Sequence, residues 1–141
     1  MPWLGSERDG GYAQYVSAPS ADTYQIKSDM TDAELAAVPC AYATAENLIN
    51  RARLASGETV LITGASGNVG IAAIQLAKRR GCHVTTISAA SKFSVLRSLG
   101  ADRCLERNES IAKTLGNNSI NVSVRSLPPC LGLADGIEGA F

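Results

Sequence analysis

The chain has 141 residues, enough for one ordinary domain with a core of its own. Hydrophobic residues make up 45% and charged residues 18%, which excludes a disordered, self-repelling chain. Thirteen Lys and Arg balance thirteen Asp and Glu, so no electrostatic grip on nucleic acid or on an acidic membrane is expected. No apolar run reaches the ~18 residues of a membrane span. The start, with Glu7, Arg8 and Asp9, has no signal-like apolar core, and a cytoplasmic location is expected.

The first third reads as mixed. Tyr12 to Val16 is a short aromatic and β-branched run that predicts a strand, and Thr23 to Ile26 predicts another. Thr31 with Glu34 three residues on forms a capping box, so a short helix is expected from there to Val38, stopped by Pro39. A second helix is predicted from Tyr42 to Ala52, with Ala45, Leu48, Ile49 and Ala52 on one face. From residue 59 the pattern turns regular. Val60 to Thr63 predicts a buried parallel strand. Asn68 to Arg80 predicts a helix whose buried face is Val69, Ala72, Ala73, Leu76 and Ala77, ended by Gly81. His83 to Ser88 reads as the next strand, and Ser91 to Leu99 as a helix capped by Ser91. Arg103 to Glu106 is a third strand, Glu109 to Leu115 a helix, and Ile120, Val122 and Val124 alternate like a fourth strand. Alternating strands and helices predict an α/β fold with a parallel sheet.

The four cysteines, Cys40, Cys82, Cys104 and Cys130, include no Cys-x-x-Cys pair, and His83 is the single histidine. A self-contained closed zinc site is therefore not expected, and the thiols read as free and mostly buried.

The motif that carries chemistry is Thr63-Gly-Ala-Ser-Gly-Asn-Val-Gly70, set between a strand and an amphipathic helix. A dinucleotide-binding turn belongs there. Gly67 lacks a Cβ, so a pyrophosphate can approach its backbone. Gly70 allows tight packing of helix on sheet, and the N–H groups near Asn68 and Val69 face the phosphates with the positive end of the helix dipole. Ala65 stands where the usual G-x-G-x-x-G has its first glycine, with Ser66 after it. A glycine turn that only tightens a helix–strand corner is the alternative. The second strand ends at Ser88, followed by Ala89, Ala90, Ser91 and Lys92, with no carboxylate to hold ribose hydroxyls as NAD sites usually have. Ser88 and Lys92 suit a 2′-phosphate, with Arg107 past the third strand as a further cation, so NADP(H) is expected over NAD(H). A solvated Lys92 beside an ordinary strand end is the plainer reading.

Beyond these motifs, the chain resembles the medium-chain dehydrogenase/reductase superfamily of zinc-type alcohol dehydrogenases and quinone oxidoreductases. The residues that carry the resemblance are Gly10 to Val16, Ala36-Ala-Val-Pro-Cys-Ala-Tyr-Ala-Thr-Ala45, Gly57 to Gly70, Ala73 with Gln75-Leu-Ala-Lys78, and Leu99-Gly-Ala-Asp102. It spans roughly residues 5 to 124. The resemblance implies a partial Rossmann domain, a doubly wound parallel sheet, preceded by a remnant of a GroES-like β catalytic domain. In that scheme residues 1–35 are the remnant, 36–56 a helical junction, 57–125 the first half of the Rossmann domain and 126–141 an atypical tail. It further implies that Thr44 lies against the nicotinamide and that Cys40 matches a catalytic-zinc ligand of zinc-dependent members; a small buried thiol at the junction is the other reading of Cys40. Zinc would belong to a full-length parent. Asn121 and Arg125 stand where the family often has Asp, and the tail matches no family pattern, so the chain is expected to be a fragment.

The implied activity is hydride transfer between NADP(H) and a carbonyl, enone, quinone or alcohol. The partners expected are a small-molecule substrate and further copies of the chain in a homo-oligomer. A catalytically inactive NADP-binding fragment, or a self-associating remnant, is the rival from another class. A short-chain dehydrogenase is the enzyme rival, but it needs Tyr-x-x-x-Lys. Tyr12, Tyr15, Tyr24 and Tyr42 are followed four residues on by Val16, Pro19, Ser28 and Glu46. No residue presents itself as general acid; Tyr42 is the nearest candidate, with packing as its simpler role.

Overall fold

The computed structural model describes residues 4–107, 111–116 and 119–125. The chain divides into two compact units, one up to Thr31 and one from Asp32 onward.

The second unit holds a four-stranded parallel sheet. Its strands are β1 (Thr59–Thr63), β2 (His83–Ser88), β3 (Arg103–Glu106) and β4 (Val122–Arg125), in the order β3-β2-β1-β4. The helices are α1 (Asp32–Arg51), α2 (Asn68–Arg79), α3 (Phe93–Ser98) and α4 (Ile111–Leu115). Side chains alternate across each strand, so β1 serves two cores. Val60 and Ile62 join Ala41, Ala45 and Ile49 of α1, Ala72, Ala73 and Ala77 of α2 and Leu96 of α3 on one face. Leu61 joins Ile87, Leu105 and Ile120 on the other, with Leu115 packed against them. This double burial explains why β1 reads as a continuous apolar run rather than an alternating one. Each fully buried Ile or Leu, such as Ile49, Leu61 and Ile62, contributes about 1.5–3 kcal/mol.

The face predicted for α2 is the one it buries, extended by Gly70 and Ile74. Lys78 and Arg79 lie in its last turn, and Gly81 adopts φ +77° just beyond it. Three expectations need correction. First, Tyr12–Val16 and Thr23–Ile26 form no strand; among the described residues the first unit has one 3-10 turn, Ser20–Asp22, and an isolated bridge, Leu4 with Arg8. Tyr12, Tyr15, Tyr24 and Ile26 are largely exposed. Strand-like composition makes a strand only where another strand offers its edge.

Second, Pro39 does not stop a helix. A single α1 runs through it to Arg51. An interior proline deprives the Leu35 carbonyl of its partner and costs about 3 kcal/mol. Alanine-rich sequence on both sides favours helix, and the following turns are anchored on α2. Ala41, Ala45 and Ile49 are buried there, the Tyr42 hydroxyl donates to Gln75 Oε1, and Glu46 pairs with Arg80. Ala52 lies past the end of α1 and is exposed; Leu54 takes the buried place. Third, Ser91 caps no helix. It sits inside a 3-10 turn, Ala90–Lys92, and α3 starts at Phe93 without a side-chain cap. Of the helix expected from Glu109, the first two residues lie outside the described residues, as do Cys130 and the tail from 126 to 141. Ile120 precedes β4 rather than joining it, and faces the core opposite to Val124.

Candidate functional site

The sheet order places a switch point between β1 and β4. From β1 the chain winds one way, to β2 and β3, and then returns to β4 on the other side. In open parallel sheets that crevice, at the carboxyl ends of the strands, is where ligands bind. The glycine turn departs from it. Gly64 takes the left-handed φ of +65°, and the Gly67 N–H closes a turn on the Gly64 carbonyl at 3.0 Å. Gly67 then caps α2 in an extended conformation, φ −84° and ψ 164°, and its carbonyl accepts the first helical bond from Ile71 N–H at 2.9 Å. The amides of Asn68, Val69 and Gly70 have no acceptor inside the helix. They lie at the positive end of its dipole.

Gly67 and Gly70 have different reasons. A Cβ on Gly70 would stand 2.5 Å from the Gly64 carbonyl oxygen and 2.6 Å from the Ala65 Cα. Gly70 thus lets α2 close on the turn itself, which is a more local contact than packing on the sheet. Gly67 has an ordinary negative φ, and a Cβ there would meet only the Gly64 carbonyl, at 3.4 Å. Neither backbone conformation nor crowding requires glycine at 67. The space that its missing Cβ leaves faces outward, between exposed Ser66 and Asn68. A pyrophosphate fits this cradle: bare backbone, three amides and a helix dipole. Ala65, in place of a third glycine, is fully buried and carries its methyl into the core.

Ser88 lies at the end of β2 but is buried, and its hydroxyl donates to the Ala89 carbonyl at 3.2 Å. Lys92 is exposed in the turn that follows. Ser91, read from sequence as a helix cap, is exposed beside Lys92 and is the hydroxyl the sequence reading missed. Its place a few residues past a strand end, next to a lysine, was the available signal. Arg107 is exposed one residue past β3, at the same end of the sheet.

Thr44 and Cys40 both lie on α1, one turn apart. Thr44 Oγ1 donates to the Cys40 carbonyl at 2.7 Å, and both residues are exposed. Cys40 is exposed, whereas Cys82 and Cys104 are buried. No group of three His, Cys, Asp or Glu near enough to hold a metal occurs among the described residues. The contacts Tyr42 to Gln75 and Glu46 to Arg80 advance in step along α1 and α2, so the two helices run in the same direction. The first half of α1, with Cys40, therefore lies toward the end of α2 that the glycine turn opens. Tyr42 is half-buried with its hydroxyl on Gln75, in keeping with packing rather than proton transfer.

The perturbed groups are at the opposite end of the sheet. Burial acts to raise the Asp102 pKa, but the Val84 N–H, at 2.7 Å, and Lys78 outweigh it, with help from His83, and hold the carboxyl below its ordinary value. Burial, then Glu58, pushes the Cys82 thiol up against the pull of Arg80 and Lys78. Such a thiol is chemically quiet. Asn121 is also structural: its Oδ1 accepts from Thr59 N–H at 2.8 Å and its N–H donates to the Thr59 carbonyl at 2.9 Å, joining β4 to β1.

The chain has relatives among known proteins. It is 38% identical over 106 residues to alcohol dehydrogenase notN of Aspergillus sp. (strain MF297-2), matching 74% of this chain and 31% of that one. It is 33% identical over 132 residues to a quinone oxidoreductase of Pongo abelii, matching 89% of this chain and 40% of the relative. Its relatives are medium-chain dehydrogenases/reductases. Solved structures of that superfamily superpose on the same region. The quinone oxidoreductase of Thermus thermophilus, determined alone and in complex with NADPH, gives a TM-score of 0.69 at 32% identity over 77% of this chain and 38% of its own. The cobalt- and zinc-bound thermostable alcohol dehydrogenase of Pyrobaculum aerophilum gives 0.68 at 38% identity over 78% of this chain and 33% of its own. The four-stranded parallel sheet thus matches the Rossmann-like domain of medium-chain dehydrogenases/reductases. The chain spans 31% and 40% of the lengths of the two curated relatives. No protein-family model matches it.

Proposed function

We propose that this chain binds a dinucleotide, NADP(H) in preference to NAD(H), for hydride transfer of the alcohol dehydrogenase or quinone oxidoreductase kind. The reacting partner would be a small molecule: a carbonyl, enone, quinone or alcohol. The observation that carries the reading is Gly67, a glycine that neither its φ nor its neighbours require, at the mouth of a helix beside the switch point. The bound nicotinamide supplies the hydride chemistry. The chain's own residues bind and orient. Amides 68–70 hold the pyrophosphate, Lys92 neutralises the 2′-phosphate, and Ser91 adds a hydroxyl beside it. Ser88 supports the turn through its bond to Ala89. Arg107 adds positive potential from the end of β3. Thr44 borders the nicotinamide end, and Cys40 is a zinc ligand only if the other ligands come from outside the described residues. We further expect a homo-oligomer in the cytoplasm; among the described residues no helix is long and apolar enough to cross a membrane.

The test is a calorimetric titration of the chain with NADPH and with NADH. Saturable binding that favours NADPH is expected. Lys92→Ala should erase the preference, by about tenfold in NADPH affinity, the worth of one charge-assisted contact, and leave NADH unchanged. A folded chain that binds neither would overturn the reading.

A further inference from the structure

One cation at the cofactor end of the sheet has no role in the scheme above. Arg125 is the last residue of β4, and its register partner is Thr63, the last residue of β1. Neighbouring strands lie about 4.8 Å apart, so Arg125 stands beside the point from which the glycine turn departs. Strand order puts β4 on the side of β1 away from β2. Lys92, which follows β2, and Arg125 therefore flank the turn on opposite sides. Val124 enters the core that α2 covers, so alternation turns Arg125 to the other face, along with Thr63. Arg125 is exposed. The ion pairs of the described residues, Lys78 with Asp102 and Arg80 with Glu46, do not involve it. Among the described residues, packing gives no reason for a guanidinium here.

We propose that Arg125 is a second cationic contact for the dinucleotide, directed at its pyrophosphate from the β4 side of the switch point. The proposal rests on the dinucleotide reading above. The planar guanidinium suits two phosphate oxygens at once; it would reach the group around the carboxyl edge of the sheet, while the helix amides of residues 68–70 approach it from the face that α2 covers. The two flanking cations then have separable signatures. The pyrophosphate is common to NADPH and NADH, whereas the 2′-phosphate belongs to NADPH alone.

The experiment titrates the wild-type chain, Arg125→Gln and Arg125→Lys with NADPH, NADH and adenosine 2′-monophosphate, which carries no pyrophosphate. Arg125→Gln is expected to weaken NADPH and NADH by the same factor, about tenfold or more, and to leave adenosine 2′-monophosphate unchanged. Arg125→Lys should recover part of the loss. Wild-type affinity of Arg125→Gln for both dinucleotides would overturn the proposal and leave the cofactor reading standing. A loss confined to NADPH would also overturn it, by moving Arg125 to the 2′-phosphate. If Arg125→Gln loses all three probes, the lysine variant decides: retained dinucleotide affinity supports a cation contact, and loss overturns it. A wild-type chain that binds neither dinucleotide would bring down the cofactor reading and this proposal with it.

Discussion

The two ends of the parallel sheet are built differently. At the amino ends of the strands, polar groups are tied to one another. Asn121 clamps Thr59, Asp102 joins Val84 to Lys78, Glu58 accepts from Ala55 N–H at 2.7 Å, and Gly57 N–H reaches the Gly81 carbonyl at 3.1 Å. At the carboxyl ends, Ser66, Asn68, Ser91, Lys92, Arg107 and Arg125 are exposed, and α2 presents its first amides. The closed end holds register and crossovers together. Among the described residues, the open end leaves donors and cations uncommitted, as a site for an anionic ligand must. Two compact turns thus differ in meaning: the one at Gly57 and Gly81 closes on itself, and the one at Gly64 to Gly70 opens outward.

Three substitutions sharpen that contrast. The largest expected effect is Gly70→Ala, because Gly70 is the structural residue of the open end. Its Cβ would stand 2.5 Å from a carbonyl oxygen, and such overpacking costs about 1–3 kcal/mol. Denaturant unfolding should register this loss, together with weaker NADPH binding. At the closed end, Asp102→Ala removes the acceptor of the Val84 N–H and the partner of Lys78. It should cost about 1–3 kcal/mol while NADPH affinity stays unchanged. The Asp102 pKa is depressed in the fold, so its contribution is present above the ordinary carboxylate value of about 3.9. It is lost as pH falls through the lower folded value. The difference between wild type and variant should therefore begin to narrow below about pH 4 and shrink further through the lower folded value. The smallest effect belongs to Arg53, which holds φ +54° just past α1. Its N–H reaches the Asn50 carbonyl, and Leu54 N–H the Ile49 carbonyl, which makes a Schellman end with a non-glycine in the left-handed place. Arg53→Gly should stabilise the fold by about 1 kcal/mol, with no change in cofactor binding.

Much of the parallel sheet was legible because its signals are local and agree. β1 and most of β2 are continuous apolar or β-branched runs, and the face of α2 is periodic. The glycine turn was legible for the same reason: strand, glycines and helix follow one another in the chain. The reason for each glycine was not, since Gly70 against the Gly64 carbonyl is a contact in space. Nor could sequence see that Pro39 would be carried inside α1, because the compensation comes from Gln75 on α2 and from Arg80 just past its end. Tyr12 to Val16 failed in the opposite way, with strand-like residues but no partner edge. Ser88 and Ser91 exchanged expected places because burial at a strand end turns one hydroxyl to the backbone and leaves the next one free of the core.

The most direct test of the account is a map of backbone amide resonances as NADPH is added. The account predicts the largest shifts at Gly67, Asn68, Val69 and Gly70, with further shifts at Ser91, Lys92 and Arg125, and none at Asn121, Asp102 or Gly57. Shifts centred on the amino ends of the strands, or no saturable shift in a folded chain, would contradict it.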